Sequence, residues 1–417
     1  MKPLLRNILI VGLVLGTAWA VRGKFGHEQG AAWAGAIGAL SILLLAKRED
    51  WNAKFLKATL AAAIGWGLGG MMSYGLVVGY GKGLDFGNVY YGLTMLFVIG
   101  GLYGYMGGGL LGLALADSPT QPICWGNLVS GMTASGALAY FFLVMQWEWL
   151  MTPPRSELWA VCLGGVLFLT WFMQHHRQSS ALRIATFTGL GGGFGFAFGN
   201  FLNVIGIASG IEFSFWNVME YSLGFFGGLG MAYGTFTSDW KVTYAQTSRT
   251  FHLTSWFILV IFIPLVIWDQ SFNLERLEQL YGARTKAAYT VQYSAMGLLI
   301  LQALYTLGIL LRKEEPESFS QNEIHKFFFV FFSVYILLSF LKTGTPIYTQ
   351  LPEQYLYLLN LVGIFLLVQN SNAAFNPKSP TYGWRLLFVC LVLLALLATI
   401  LIYSHGELPN TPKRFGQ

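Results

Sequence analysis

The densest run of residues able to do chemistry is Arg22-Gly23-Lys24-Phe25-Gly26-His27-Glu28-Gln29-Gly30. Two cations, an imidazole and a carboxylate stand among glycines small enough to let backbone N–H groups approach a ligand. Such a set can hold an anion, with Arg22 supplying a forked pair of donors. A helix that starts at Glu28 adds the positive end of its dipole. The same residues also suit simpler work, because Lys and Arg beside an apolar run anchor helices at an interface and Glu28 fits a first helical turn. The spacing is neither a Walker loop nor an HExxH zinc site, since Ala31 stands where the second histidine is required.

Glu220 lies inside an apolar stretch, residues 214 to 236. A carboxylate in hydrocarbon costs several kcal/mol unless it meets water, a partner or a proton, and burial disfavours its charged form. Glu220 and Glu28 are therefore the proton-coupling candidates, against the plainer reading of a buried Glu bonded to a neighbouring helix. Asn200, Asn203 and Asn217 occupy the adjoining apolar stretches and can share one pocket with Glu220. Asn217 and its counterpart Asn88 equally suit helix caps. Trp216, beside Asn217, offers a stacking face, whereas most other tryptophans fit an aromatic belt. The expected solute-binding set is thus Arg22, Lys24, His27, Glu28, Asn200, Asn203, Trp216 and Asn217. No catalytic residue, cofactor or metal is assigned. His175-His176 has no third ligand nearby in sequence, and Cys124, Cys162 and Cys390 lack metal or disulfide spacing.

The elements that must position these groups are apolar helices. A chain of 417 residues that is 55% hydrophobic and 11% charged, with mean hydropathy +0.55, cannot hide its apolar surface in one soluble core. Runs of transmembrane length predict an all-α polytopic membrane protein with about thirteen spans. They fall near residues 4–21, 29–46, 58–79, 88–116, 124–147, 158–174, 184–208, 214–236, 251–268, 290–311, 326–341, 354–369 and 384–403. Residues 1 to 20 resemble a secretory signal peptide, with Lys2 and Arg6 before an apolar run, and are read as an uncleaved first span. The net charge of +6 reflects basic cytoplasmic loops rather than nucleic acid. Most of the 25 Lys and Arg fall inside when the N-terminus is cytoplasmic, in what is expected to be a bacterial inner membrane.

Sliding the chain by 129 positions (157 − 28) aligns Glu28 with Glu157, Gly70 with Gly199, Phe86 with Phe215, Asn88 with Asn217 and Gly101 with Gly230. This predicts two parallel four-helix repeats, residues 1–120 and 121–240, followed by a five-helix region, residues 251–404. Glycine runs around Gly65 to Gly70, Gly100 to Gly112 and Gly191 to Gly199 are expected to be packing seams, with unwinding at Gly191-Gly192-Gly193 as the functional alternative. A short amphipathic helix is expected within 269–289, and a solvated hinge at 312–326.

These features favour a secondary transporter of a small polar or anionic organic solute, coupled to protons. The alternatives are an integral membrane transferase using His27 or Glu28 as base on a lipid-linked or acyl substrate, and a non-catalytic subunit of a membrane complex. Lipid is the expected partner, and the sequence leaves oligomeric state open.

Overall fold

The computed structural model describes residues 2–243, 247–281, 285–311, 319–379 and 383–416. The first stretch forms α1 (Pro3–Arg22), α2 (Glu28–Ala46), the short α3 (Glu49–Asn52), α4 (Phe55–Gly69), α5 (Gly75–Tyr80) and α6 (Phe86–Ala116). Then come α7 (Trp125–Ala139), which runs into a π-helical turn, α8 (Trp159–His175), α9 (Ser179–Ser209) and α10 (Phe215–Phe236). The remainder comprises α11 (Arg249–Trp256) and α12 (Ile263–Ser271) joined by a second π-helical turn, α13 (Leu274–Tyr281), α14 (Thr285–Leu311), α15 (Gln321–Thr343), α16 (Pro352–Gln369) and α17 (Gly383–Ser404). Apart from one isolated bridge, Ser118 to Gln121, the regular structure among the described residues is helical.

Nine helices among the described residues are long and apolar enough to cross a membrane. The protein is accordingly an all-α, multi-spanning integral membrane protein. α4 and α8 are apolar but shorter, and α10, which carries Glu220, is not among the nine. In lipid, helices associate through close packing rather than through a hydrophobic drive, and small residues permit that approach. The seams here follow the rule. A Cβ at Gly104 of α6 would lie 2.3 Å from the Thr188 carbonyl oxygen of α9, and one at Gly195 of α9 would lie 2.4 Å from that of Ser222 in α10. One at Gly228 of α10 would lie 2.7 Å from the Val11 oxygen of α1. These contacts draw α1, α10, α9 and α6 into one row, with α2 enclosed beside them and α17 mostly exposed at the flank.

The third expected span, 58–79, is not one helix. α4 stops at Gly69, and the chain closes through Met71 N–H to Leu68 O and Met72 N–H to Gly69 O before α5 begins. Gly70 abuts the start of α2, where a Cβ would sit 2.5 Å from Glu28 Cα, so the end of α4 lies directly against the entry to α2. The alternative break at Gly191-Gly192-Gly193 does not occur. α9 runs through unbroken, and these glycines meet the carbonyls of Phe226, Gly100 and Phe97.

Neither Asn88 nor Asn217 caps its helix. Asp85 caps α6 and accepts from Asn88 N–H, while Ser214 precedes α10. The amphipathic helix is α13, which buries Leu277 and Tyr281 and is tied down by Tyr281 Oη donating to Leu341 O at 2.8 Å. Arg284 and residues 312–318 of the expected hinge lie outside the described residues.

Candidate functional site

Arg22 ends α1, with Gly23 as its cap, and its side chain is 2% exposed. A guanidinium this deep has to find acceptors, because an unpaired buried charge is among the costliest defects a fold can carry. It finds them on three other helical segments. Nη1 donates to Tyr74 Oη at 2.9 Å and to Glu220 Oε2 at 3.0 Å, and Nη2 donates to Tyr103 Oη at 3.2 Å. Tyr74 Oη in turn donates to Glu220 Oε1 at 2.9 Å, so Arg22, Tyr74 and Glu220 close a ring of hydrogen bonds. Trp19 lies under the guanidinium, 5.2 Å from the ring centre, and adds a cation–π contact.

His27 completes the cluster from the connection between α1 and α2. Its Nδ1 lies 3.3 Å from Arg22 Nη2. A guanidinium has only donors, so this contact is a hydrogen bond when Nδ1 is bare and the proton sits on Nε2. Although His27 is solvent-exposed on its cleft side, desolvation by the protein packed around the rest of it, and then the neighbouring Arg22 charge, lower its pKa to about 4, which keeps the imidazole neutral across the physiological range.

Tyr74 and His27 bring the cluster to the wall of a cleft of ≈ 990 Å³, and Arg22, Glu220 and Tyr103 lie buried behind them. One wall is the break between α4 and α5, from Gly70 to Tyr74; the facing wall is α9 and the start of α10, with Asn203, Gly206 and Trp216. Trp216 stacks over Tyr74, with centroids 6.2 Å apart. Glu28, Lys82 and Arg155 stand at the rim. Beneath the cluster Trp19 packs edge-on against Trp66, 4.8 Å away. Trp66 fills the notches left by Gly35 and Gly107, where a Cβ would lie 2.5 Å and 2.4 Å from its ring, and closes that side.

A second polar layer ties in the C-terminal helices. Glu353, in the first turn of α16, accepts from Lys24 Nζ at 3.5 Å and from Asn217 Nδ2 at 3.2 Å. Lys342 of α15 donates to the Lys24 carbonyl. The C-terminal tail provides another part of the cleft wall through Asn410 and Pro412. It is pinned by Asn88, whose Oδ1 accepts from Arg414 N–H at 2.6 Å and Phe415 N–H at 2.9 Å and whose Nδ2 donates to Phe415 O at 3.1 Å.

Of the residues singled out in the sequence, Arg22, His27 and Glu220 meet in one network, and His27, Glu28, Asn203 and Trp216 line the cleft. Lys24 and Asn217 are directed at Glu353 instead. Asn200 braces the backbone: its Nδ2 donates to Val78 O at 3.3 Å and its Oδ1 accepts from Asn203 at 3.4 Å. Tyr74, Tyr103 and Glu353 were not visible as site residues, because a lone Tyr or Glu at a helix start carries no spacing signal. Among the described residues no group of three His, Cys, Asp or Glu is placed to hold a metal ion.

Comparison with protein-family models, with curated proteins and with solved structures returned no match for this chain. The functional reading therefore rests on the cleft itself.

Proposed function

We propose that the protein is a secondary active transporter of a small polar or anionic organic solute, driven by protons and seated in a bacterial cytoplasmic membrane with its N-terminus inside. The observation that carries the reading is the buried Arg22–Glu220 pair, joined by Tyr74 and His27 to the wall of a cleft, beside a helix that breaks at mid-course. Discontinuous helices at a buried site are how membrane transporters expose polar groups to a solute.

The chemistry follows from the ring of hydrogen bonds. While Glu220 is ionised it occupies Arg22 Nη1. A proton on Glu220 cancels that attraction and frees the guanidinium for the carboxylate or phosphate of a solute, with Tyr74 and Tyr103 as further hydrogen-bonding groups. One proton thus enters with one negative charge, and the pair re-forms when both leave. Trp216 and Tyr74 supply aromatic faces for the body of the solute.

The duplication belongs to this proposal: two parallel units, 1–120 and 121–240, with 251–404 as a scaffold and thirteen spans in all. At the 129-position shift (157 − 28), α2 falls on α8, α4 with α5 on α9, and α6 on α10. The test is uptake by proteoliposomes across imposed pH gradients, using a panel of organic anions. Uptake should depend on an inward proton gradient and lose that dependence in Glu220→Gln. A folded Glu220→Gln protein with unchanged pH dependence removes the coupling role.

A second reading, an integral membrane transferase, draws on His27. Its imidazole lines the cleft and becomes available as a general base once Nδ1 releases Arg22, 3.3 Å away. Turnover of an acyl or lipid-linked substrate without net uptake favours that reading. The cleft counts against a purely structural subunit.

A further inference from the structure

A second cavity, of ≈ 870 Å³, lies on the flank of the bundle between α6, α8, α9 and the first turn of α17. Its two ends differ in chemistry. Where α9 begins, it is lined by Arg183, Lys378, Asp239 and the hydroxyls of Ser179 and Ser180. Along α6, α9 and α17 the lining becomes Phe97, Val98, Leu102, Leu190 and Leu387. Trp384 at the rim is 65% exposed and Leu387 is 40% exposed, so in a multi-spanning protein the cavity faces the bilayer.

The polar end is held rigidly and left incomplete. Arg183 Nε donates to Thr237 Oγ1 at 3.1 Å and Nη1 to Ser379 O at 3.3 Å, while the guanidinium rests on Phe187, 5.0 Å from the ring centre. Its Nη2 is buried and has no acceptor among the described residues. Lys378 reaches over Tyr233, 5.3 Å from the ring centre, and its side chain makes the second cation. Against these two cations stands one carboxylate, Asp239, so the end carries a net charge of +1 (2 − 1).

We propose that this cavity binds one anionic phospholipid. The phosphodiester sits between Arg183 and Lys378, with the Ser179 hydroxyl as an added donor, and an acyl chain lies along Leu102 and Leu190. A single negative charge on the headgroup matches the net +1, and a phosphate oxygen gives Nη2 its missing acceptor. The depth agrees as well. From Ser179 to Leu190 α9 rises roughly 16 Å at about 1.5 Å per residue, which is half of a hydrocarbon layer of about 30 Å. A lipid of one leaflet therefore fits with its headgroup at the interface and its chain end near mid-membrane. A soluble anion leaves the apolar half unfilled, and a neutral lipid leaves the cations unmatched. The inference needs only membrane embedding and is independent of the transport reading.

The test is native mass spectrometry of the full-length protein released from mixed micelles containing phosphatidylglycerol and phosphatidylcholine with identical acyl chains. One phosphatidylglycerol should be retained in preference, and the preference should fall about fivefold for each charge removed in Arg183→Gln and Lys378→Gln. Lys378→Gln guards against misfolding, because it keeps the backbone N–H bond to Thr237 O and gives up only the side-chain contact with Tyr233. Gly101→Leu, at a glycine whose Cβ meets only the Gly189 oxygen at 3.6 Å, should fill the apolar half and abolish retention with the charges intact. Equal retention of both lipids overturns the proposal, as does preference unchanged in the two charge variants. Competition by inorganic phosphate alone, with no requirement for acyl chains, overturns the lipid assignment.

Discussion

Arg22 Nη1 and Glu220 Oε2 stand 3.0 Å apart, although 198 positions (220 − 22) separate them in the chain. The two side chains are 2% and 1% exposed, so each is the other's buried partner. This mutual dependence fixes how α1 and α10 meet, and it makes the pair testable by removing one side at a time.

Removal of a single partner leaves an unpaired buried charge. Arg22→Ala and Glu220→Ala should each destabilise the protein by about 3–5 kcal/mol, seen as a lower melting temperature in detergent. The double variant Arg22→Met/Glu220→Leu should regain most of that stability while losing coupled uptake. A double variant as unstable as the singles would show that the pair's role is not electrostatic.

His27 gives a pH dependence whose sign is determined. Its pKa is lowered to about 4 from the usual 6.5, so between those values the unfolded chain binds more protons than the folded one. Stability conferred by neutral His27 is complete above pH 6.5 and is lost as pH falls toward 4. Melting temperatures measured from pH 7 to pH 4 should decline less steeply in His27→Gln than in the parent protein.

The tail contact at Asn88 should control access to the cleft. Asn88→Ala removes three hydrogen bonds to residues 414 and 415, each of which contributes about 0.5–1.5 kcal/mol. In a cysteine-free background carrying Trp216→Cys, a polar maleimide should react several-fold faster when Asn88 is Ala than when it is Asn. Equal rates would separate the tail from the cleft.

The glycine seams predict a sharp contrast between neighbouring positions. Gly104→Val places branched carbon 2.3 Å from a carbonyl oxygen of α9 and should abolish correct folding, whereas Gly101→Ala, with 3.6 Å of room, should be nearly neutral. Monodispersity in detergent, followed by size-exclusion chromatography, distinguishes the two.

Much of the helical framework was legible because hydrophobic run length is set by bilayer thickness, a property each segment carries locally. The break at Gly70 was not, since the glycine-rich stretches at Gly70 and Gly191 look alike in sequence and both lie hard against neighbouring backbone, Glu28 at the first and α6 and α10 at the second. Arg22 and Glu220 stood out individually as charges in apolar surroundings. That they satisfy each other is a long-range fact without a local signal, and the same holds for Glu353 collecting Lys24 and Asn217. Asn88 looked like a cap from its place near a helix start, but Asp85 performs that task and leaves the Asn88 amide to the tail.

The pinned tail has a practical corollary. Affinity handles or fluorescent fusions appended behind Phe415 would hang at the mouth of the cleft, tugging on the Asn88 clasp. Placed before Pro3 instead, at the far end of α1 and roughly 30 Å from Arg22 at about 1.5 Å per residue, the same handle leaves that mouth clear.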